Sequence, residues 1–275
     1  MGGSMESGFA GQTIDVARSR GALDRDERHV KDGILRMGSL VELAIRDAIR
    51  AVVQRDIGLA ESVITSDARI NDAQREVSEA ILTTIATQSP VARDLRFLLA
   101  LDHVGFELER MGDHASSVAK QVRYLEGPLP ATTELARIGE LAGDQVRGIL
   151  SALIDVDDVL AREVAARDDE IDHGYRGFFA EVVEVMRRDP LAVERGTRLI
   201  LAAHWIERIG DRVTNIAEHV VFLASGRIED LNPRRRTRRW PRIRSGSSSS
   251  APATPRAARW PRRSCGGRAA TRSRS

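Results

Sequence analysis

The 275-residue chain has one cysteine, Cys265. No disulfide can close within it and no thiolate cluster can gather a metal, which fits a reducing, cytoplasmic compartment. Long apolar runs are also missing: the best, Leu199 to Ile206, is eight residues and contains His204, against the roughly 18 needed to span a bilayer. The opening MGGSMESGFAGQ lacks a basic stretch followed by an apolar one, so no secretory signal is expected. No Ser/His/Asp set, phosphate loop or dinucleotide fingerprint is visible. Acidic residues vanish after Pro233, where Arg234 to Ser275 carry 14 arginines, no lysine and no acid. The net charge of +2 therefore hides a body, residues 1–233, with 28 basic against 40 acidic residues, net −12. Such a body does not suit the phosphate backbone of nucleic acid, which is bound through Lys and Arg. It suits cations. The tail, 232–275, is of low complexity and is expected to be a disordered, flexible appendage; an arginine-rich arm for nucleic acid or anionic lipid is its functional alternative.

Proline is sparse in the body, and each of the five falls where a helix should start or stop: Pro90, Pro128, Pro130, Pro190 and Pro233. Ser89 and Asp189 each precede a proline as an N-cap would. Residues 1–23 show no apolar periodicity and are expected to be disordered. From Asp24 onward, Ile34, Met37, Val41, Ala44, Ile45, Ala48 and Val52 recur at spacings of three and four, the stripe of an amphipathic helix. Six helices are predicted, over 24–55, 57–88, 90–126, 129–156, 158–188 and 190–226. Helices of about 30 residues run to about 45 Å, lengths that suit an antiparallel bundle.

The second three helices repeat the first. Arg55-Asp56, Leu59-Ala60, Val63, Asp67, Ile70 and Arg75 return 101 residues later as Val156-Asp157, Leu160-Ala161, Val164, Asp168, Ile171 and Arg176. Glu109-Arg110-Met111-Gly112-Asp113 returns as Glu207-Arg208-Ile209-Gly210-Asp211, offset by 98. The expected fold is all-α, two tandem antiparallel three-helix bundles over 24–127 and 128–231, related by a pseudo-twofold or a translation.

Glu109 with Asp113, and Glu207 with Asp211, stand four apart and share a helix face. Two adjacent negative charges are relieved by a hard cation with oxygen ligands, and a bundle can bring further carboxylates to it. Spacing alone is weak, since chance supplies about six acidic pairs at this spacing in a chain of this composition. The duplicated ERxGD supplies the specificity, against the alternative that Arg110 and Arg208 make each motif a solvated charged face. Gly112 and Gly210 cost about 1 kcal/mol each within a helix relative to alanine, so their recurrence points to close helix approach or room for a ligand. Asp67, Asp168 and Asp172 on the preceding helices are candidates to complete the sites, and Asn71 stands where Asp172 does. The alternative function is a carboxylate-bridged metalloenzyme of ferritin-like type, for which Glu170 with His173 and Asp26 with His29 are the nearest Glu-x-x-His-like pairs. His103, His114, His204 and His219 read as surface or interhelical residues, and Phe178, Phe179 and Trp205 as packing.

The two motifs, the second extended as Trp205-Ile-Glu-Arg-Ile-Gly-Asp-Arg-Val-Thr-Asn-Ile-Ala-Glu218, resemble the PhoU family of phosphate-uptake regulators from about Arg28 to Leu231. The resemblance implies two three-helix bundles and no enzymatic activity. It also implies carboxylate motifs holding a divalent or multinuclear metal (iron, zinc, manganese or magnesium) and negative regulation of the phosphate-starvation response. The metal residues it implies are Glu109, Asp113, Glu207, Asp211 and, one turn further on, Asn215. The implied partners are a sensor histidine kinase and the phosphate ABC transporter ATPase, met at the cytoplasmic face of the membrane. Long exposed helices suggest a homodimer. Ser117 replaces the asparagine expected one turn after Asp113, Arg212 stands where the family often has histidine, and the basic tail is not a family feature.

Overall fold

The computed structural model describes residues 7–127 and 132–232, with side chains from Arg20 onward. The elements are α1 (Ser7–Gln54), α2 (Ile57–Gln88), α3 (Arg93–Ala119), a 3-10 turn at Val122–Tyr124, α4 (Thr132–Asp155), α5 (Asp158–Ala166), α6 (Asp168–Arg188), a 3-10 turn at Pro190–Ala192, and α7 (Val193–Ser225). The fold is all-α. The Arg-rich tail from Pro233 and the prolines at 128 and 130 lie outside the described residues.

The repeat is visible in the turns. Both α1 and α4 end on a left-handed residue, Arg55 (φ 55°) and Val156 (φ 52°). The following amide reaches back five residues, Asp56 N to Ala51 O at 3.0 Å and Asp157 N to Ala152 O at 2.9 Å, which satisfies carbonyls that a helix end leaves open. The same aspartates then cap the next helix: Asp56 Oδ1 accepts from Leu59 N, and Asp157 Oδ1 from Val159 N and Leu160 N. One residue thus ends one helix and starts another.

Three expectations are corrected. Residues 7–23 are helical, not disordered: α1 begins at Ser7, and where its apolar stripe fades charge ties it down, Arg20 pairing with Asp24 (3.1 Å) and with Asp94 at the start of α3 (2.5 Å). The single helix expected over 158–188 breaks at Arg167, whose amide bonds Val164 O at i−3 and so interrupts the α-helical ladder. Ser89 is no N-cap: it is the left-handed residue (φ 49°) that closes α2, and α3 starts three residues after Pro90. Asp189 does cap the turn at Pro190, accepting from Leu191 N at 3.0 Å.

α2 packs on α1 and α3, and α5 with α6 packs on α4 and α7, while α1 meets α4 and α3 meets α7. Each residue of the stripe from Ile34 to Val52 is buried in one continuous core with α3, α4 and α7. Reciprocal contacts decide the symmetry. A Cβ on Gly38 of α1 would strike Leu150 of α4, and a Cβ on Gly139 of α4 would strike Ile49 of α1; offset by 101, these are the same contact exchanged between halves. Along α3 and α7, Glu107 pairs with Arg212 (3.3 Å) and His114 stacks on Trp205 (5.3 Å), again one contact exchanged at an offset of 98. A translation would make contacts in one direction only. The halves are related by a pseudo-twofold, the internal equivalent of an isologous interface.

Candidate metal centre

Each ERxGD motif lies on the last helix of its bundle, facing the aspartate of the preceding one. A Cβ on Gly112 would lie 2.8 Å from Ile70 Cδ1 and 3.5 Å from Asp67 Oδ1; a Cβ on Gly210 would lie 2.6 Å from Asp168 Oδ1. The motif glycines therefore make the room into which the neighbouring carboxylates pack. Asp67 thereby comes within electrostatic reach of Glu109 and Asp113, and Asp168 packs against the glycine between Glu207 and Asp211.

The PhoU domain family matches residues 34–122 and again 135–220. The chain belongs to the PhoU family. Over 208 residues it is 35% identical to the phosphate-specific transport system accessory protein PhoU homolog of Rhizobium meliloti, covering 74% of this chain and 88% of that one. Over 200 residues it is 37% identical to the PhoU homolog of Pseudomonas aeruginosa, covering 72% and 83%. The crystal structure of PhoU from Pseudomonas aeruginosa superposes with a TM-score of 0.71 at 36% identity, over 74% of this chain and 99% of that chain. The phosphate transport system regulatory protein PhoU from Streptococcus pneumoniae superposes with a TM-score of 0.72 at 28% identity, over 76% and 99%. These PhoU proteins are named as accessory or regulatory proteins, not enzymes.

Within this chain the halves differ. In the first, Asp67 and Glu109 are half-buried and Asp113 is exposed. Burial first, then the Asp113 charge, raises the carboxyls of Asp67 and Glu109 above the usual carboxylate range; Lys120 and the amide of Asn71, 3.4 Å from Asp67 Oδ2, pull Asp67 back. In the second half four carboxylates are buried, Asp168 (3% exposed), Asp172 (8%), Glu207 (7%) and Asp211 (2%). Arg208 donates to Asp211 at 3.0 Å and His204 lies 3.6 Å from Glu207. The segment after α7 closes over this half: Leu231 N donates to Glu218 at 3.1 Å, Asn232 Nδ2 to Asp168 at 3.0 Å, and Arg162 grips Glu229 through both nitrogens. Asn215 is half-buried one turn beyond Asp211.

Among the described residues no three His, Cys, Asp or Glu side chains are gathered tightly enough to hold a metal ion by themselves. The donor chemistry of the second half nonetheless fits one: every donor is a hard oxygen, suited to magnesium, manganese or iron, and the bare backbone of Gly210 lets the Asp168 carboxylate approach the motif. Sequence spacing missed Gln145 of α4, which is 1% exposed with its Oε1 3.5 Å from that same Cβ position. It sits in an otherwise apolar stripe, so the signal available was a single polar residue among Ile138, Ala142, Val146 and Ile149.

Of the histidines, His103, His114 and His219 meet across the halves. His103 stacks on His219 at 4.9 Å, and His204 leans on Trp205 and Tyr175. Burial first, then the Arg212 and Arg208 guanidiniums, lowers His114 to about 4. Glu170 and His173 are exposed on α6, and His29 is exposed on α1 beside Asp26, which accepts from Gln88. No facing Glu-x-x-His pairs meet inside a bundle among the described residues, which removes the ground for a ferritin-like oxidase.

Proposed function

We propose that this chain is an accessory regulator of phosphate uptake. It restrains uptake and the starvation response when phosphate is plentiful, by joining the phosphate ABC transporter ATPase to a sensor histidine kinase. The observation that carries this reading is the family match over both halves, with the duplicated ERxGD in register on α3 and α7. No described helix is long and apolar enough to cross a membrane. Association with the membrane would therefore run through the partners at its cytoplasmic face, and self-association into a homodimer would use the long exposed helical faces.

Asp168, Asp172, Glu207, Asp211 and Asn215 would hold a hard divalent cation in the second half. When bound, it neutralises buried carboxylates and clamps α6 to α7. Around it the chain's own groups set the geometry: Asn232 orients Asp168, Arg208 orients Asp211, and the segment 227–232 limits water. The test is comigration of the purified full chain with the ATPase subunit and with the cytoplasmic part of the kinase on size exclusion with light scattering. Complexes with both are expected; elution of the chain apart from both, at micromolar concentrations, would overturn the adaptor role. The same trace reads the oligomer, since a monomer has a mass of 30.3 kDa.

A further inference from the structure

Gln145 is the one polar side chain in the buried stripe of α4, and neither its Oε1 nor its Nε2 has a hydrogen-bond partner. Buried amides are almost always bonded, so one left bare calls for a ligand or a water. Its Oε1 faces the point beside Gly210 that Asp168 Oδ1 also faces, so α4 and α6 each send an oxygen to the backbone of α7 between Glu207 and Asp211. An amide oxygen is an ordinary ligand of a hard cation.

The internal symmetry supplies a control. Offset by 101, the counterpart of Gln145 is Ala44, buried in the core of the first half, and the counterpart of Asp172 is Asn71. Offset by 98, Asn215 and Glu218 correspond to Ser117 and Lys120. Ala44 and Lys120 offer no oxygen donor, Asn71 has no negative charge, Ser117 has a hydroxyl in place of an amide oxygen, and Lys120 places a positive charge near Asp67.

We propose that Gln145 is an oxygen ligand of the cation held in the second half, and that the first half, without its counterpart, holds none. This rests on the reading of the second half as a cation site. The test uses the full chain stripped with chelator and titrated with Mn2+, free Mn2+ being read from its electron paramagnetic resonance signal and folding from circular dichroism. Wild type is expected to bind, Asp211→Ala to lose binding, and Asp113→Ala to bind as wild type. Gln145→Leu should weaken binding about tenfold or more, within the range for a lost partner at a metal site. Gln145→Glu, nearly isosteric and anionic, should bind at least as tightly, and it carries the test if the leucine variant fails to fold. Wild-type affinity in Gln145→Leu would overturn the role of Gln145 and leave the cation site standing, the amide then being met by water. Loss in Asp113→Ala equal to that in Asp211→Ala would overturn the inequality of the halves. No Mn2+ bound by wild type would remove the cation site itself.

Discussion

Replacing Gly210 with alanine tests the packing of the second site without any metal. The new methyl would stand 2.6 Å from Asp168 Oδ1 and 3.3 Å from Ile171 Cδ1, closer than the roughly 3.5 Å at which non-bonded heavy atoms settle, so about 1 Å of movement is required. Asp168 has little freedom to move, being 3% exposed and held by Asn232. Overpacking of this kind costs about 1–3 kcal/mol, while alanine returns about 1 kcal/mol of helix propensity. Gly177 on α6 is the control: it is exposed, and a Cβ there meets nothing within 4 Å, so Gly177→Ala should gain about 1 kcal/mol from propensity alone. The two variants make the same chemical change and should differ by about 1–3 kcal/mol in urea unfolding. In thermal scans each kcal/mol is worth roughly 2–4 °C for a body of this size. Both would be followed by circular dichroism at pH 7 in chelator. Gly210→Ala as stable as Gly177→Ala would refute the claim that this glycine is required by the Asp168 carboxylate.

Val156→Gly relieves a β-branched residue held at φ 52°. The left-handed penalty of about 1–2 kcal/mol less the entropic cost of glycine, about 0.5–1 kcal/mol, predicts a small gain in urea midpoint; a loss would contradict the strain. Asn232→Ala removes the 3.0 Å bond to Asp168 and should cost about 1 kcal/mol, whereas an unchanged midpoint would mean that the segment after α7 does not hold the site. His114, lowered to about 4 chiefly by burial, binds fewer protons folded than unfolded. Its contribution to stability is present above pH 6.5 and is lost as pH falls from 6.5 toward 4. Midpoints at pH 7 and 4.5 should converge in His114→Phe relative to wild type, and an equal difference in both proteins would refute this.

The stripe from Ile34 to Val52, the 101-residue repeat and the two ERxGD motifs were all legible, because helical period and duplication are local properties of the text. The pairing of each motif glycine with Asp67 or Asp168 was foreshadowed by recurrence alone. The dyad was not legible, since a repeat fixes what is copied and not how the copies face each other; Gly38 against Leu150 and Gly139 against Ile49 decide it. The break at Arg167 carries no proline or glycine to announce it. The hydrogen bonds from Leu231 to Glu218 and from Asn232 to Asp168 come from the segment after α7 folding back, a long-range event that no spacing rule encodes. Gln145 escaped notice for a related reason: it approaches Gly210 from the first helix of its bundle, whereas the motif and the aspartate facing it occupy the last two.

The central claim is that this chain restrains the phosphate-starvation response. The direct measurement is expression of a phosphate-starvation reporter at high phosphate in a deletion strain, complemented with wild type or with Asp211→Ala expressed to equal level. The account predicts derepression in the deletant, full repression restored by wild type, and impaired repression with Asp211→Ala. A deletant that remains fully repressed at high phosphate would contradict it.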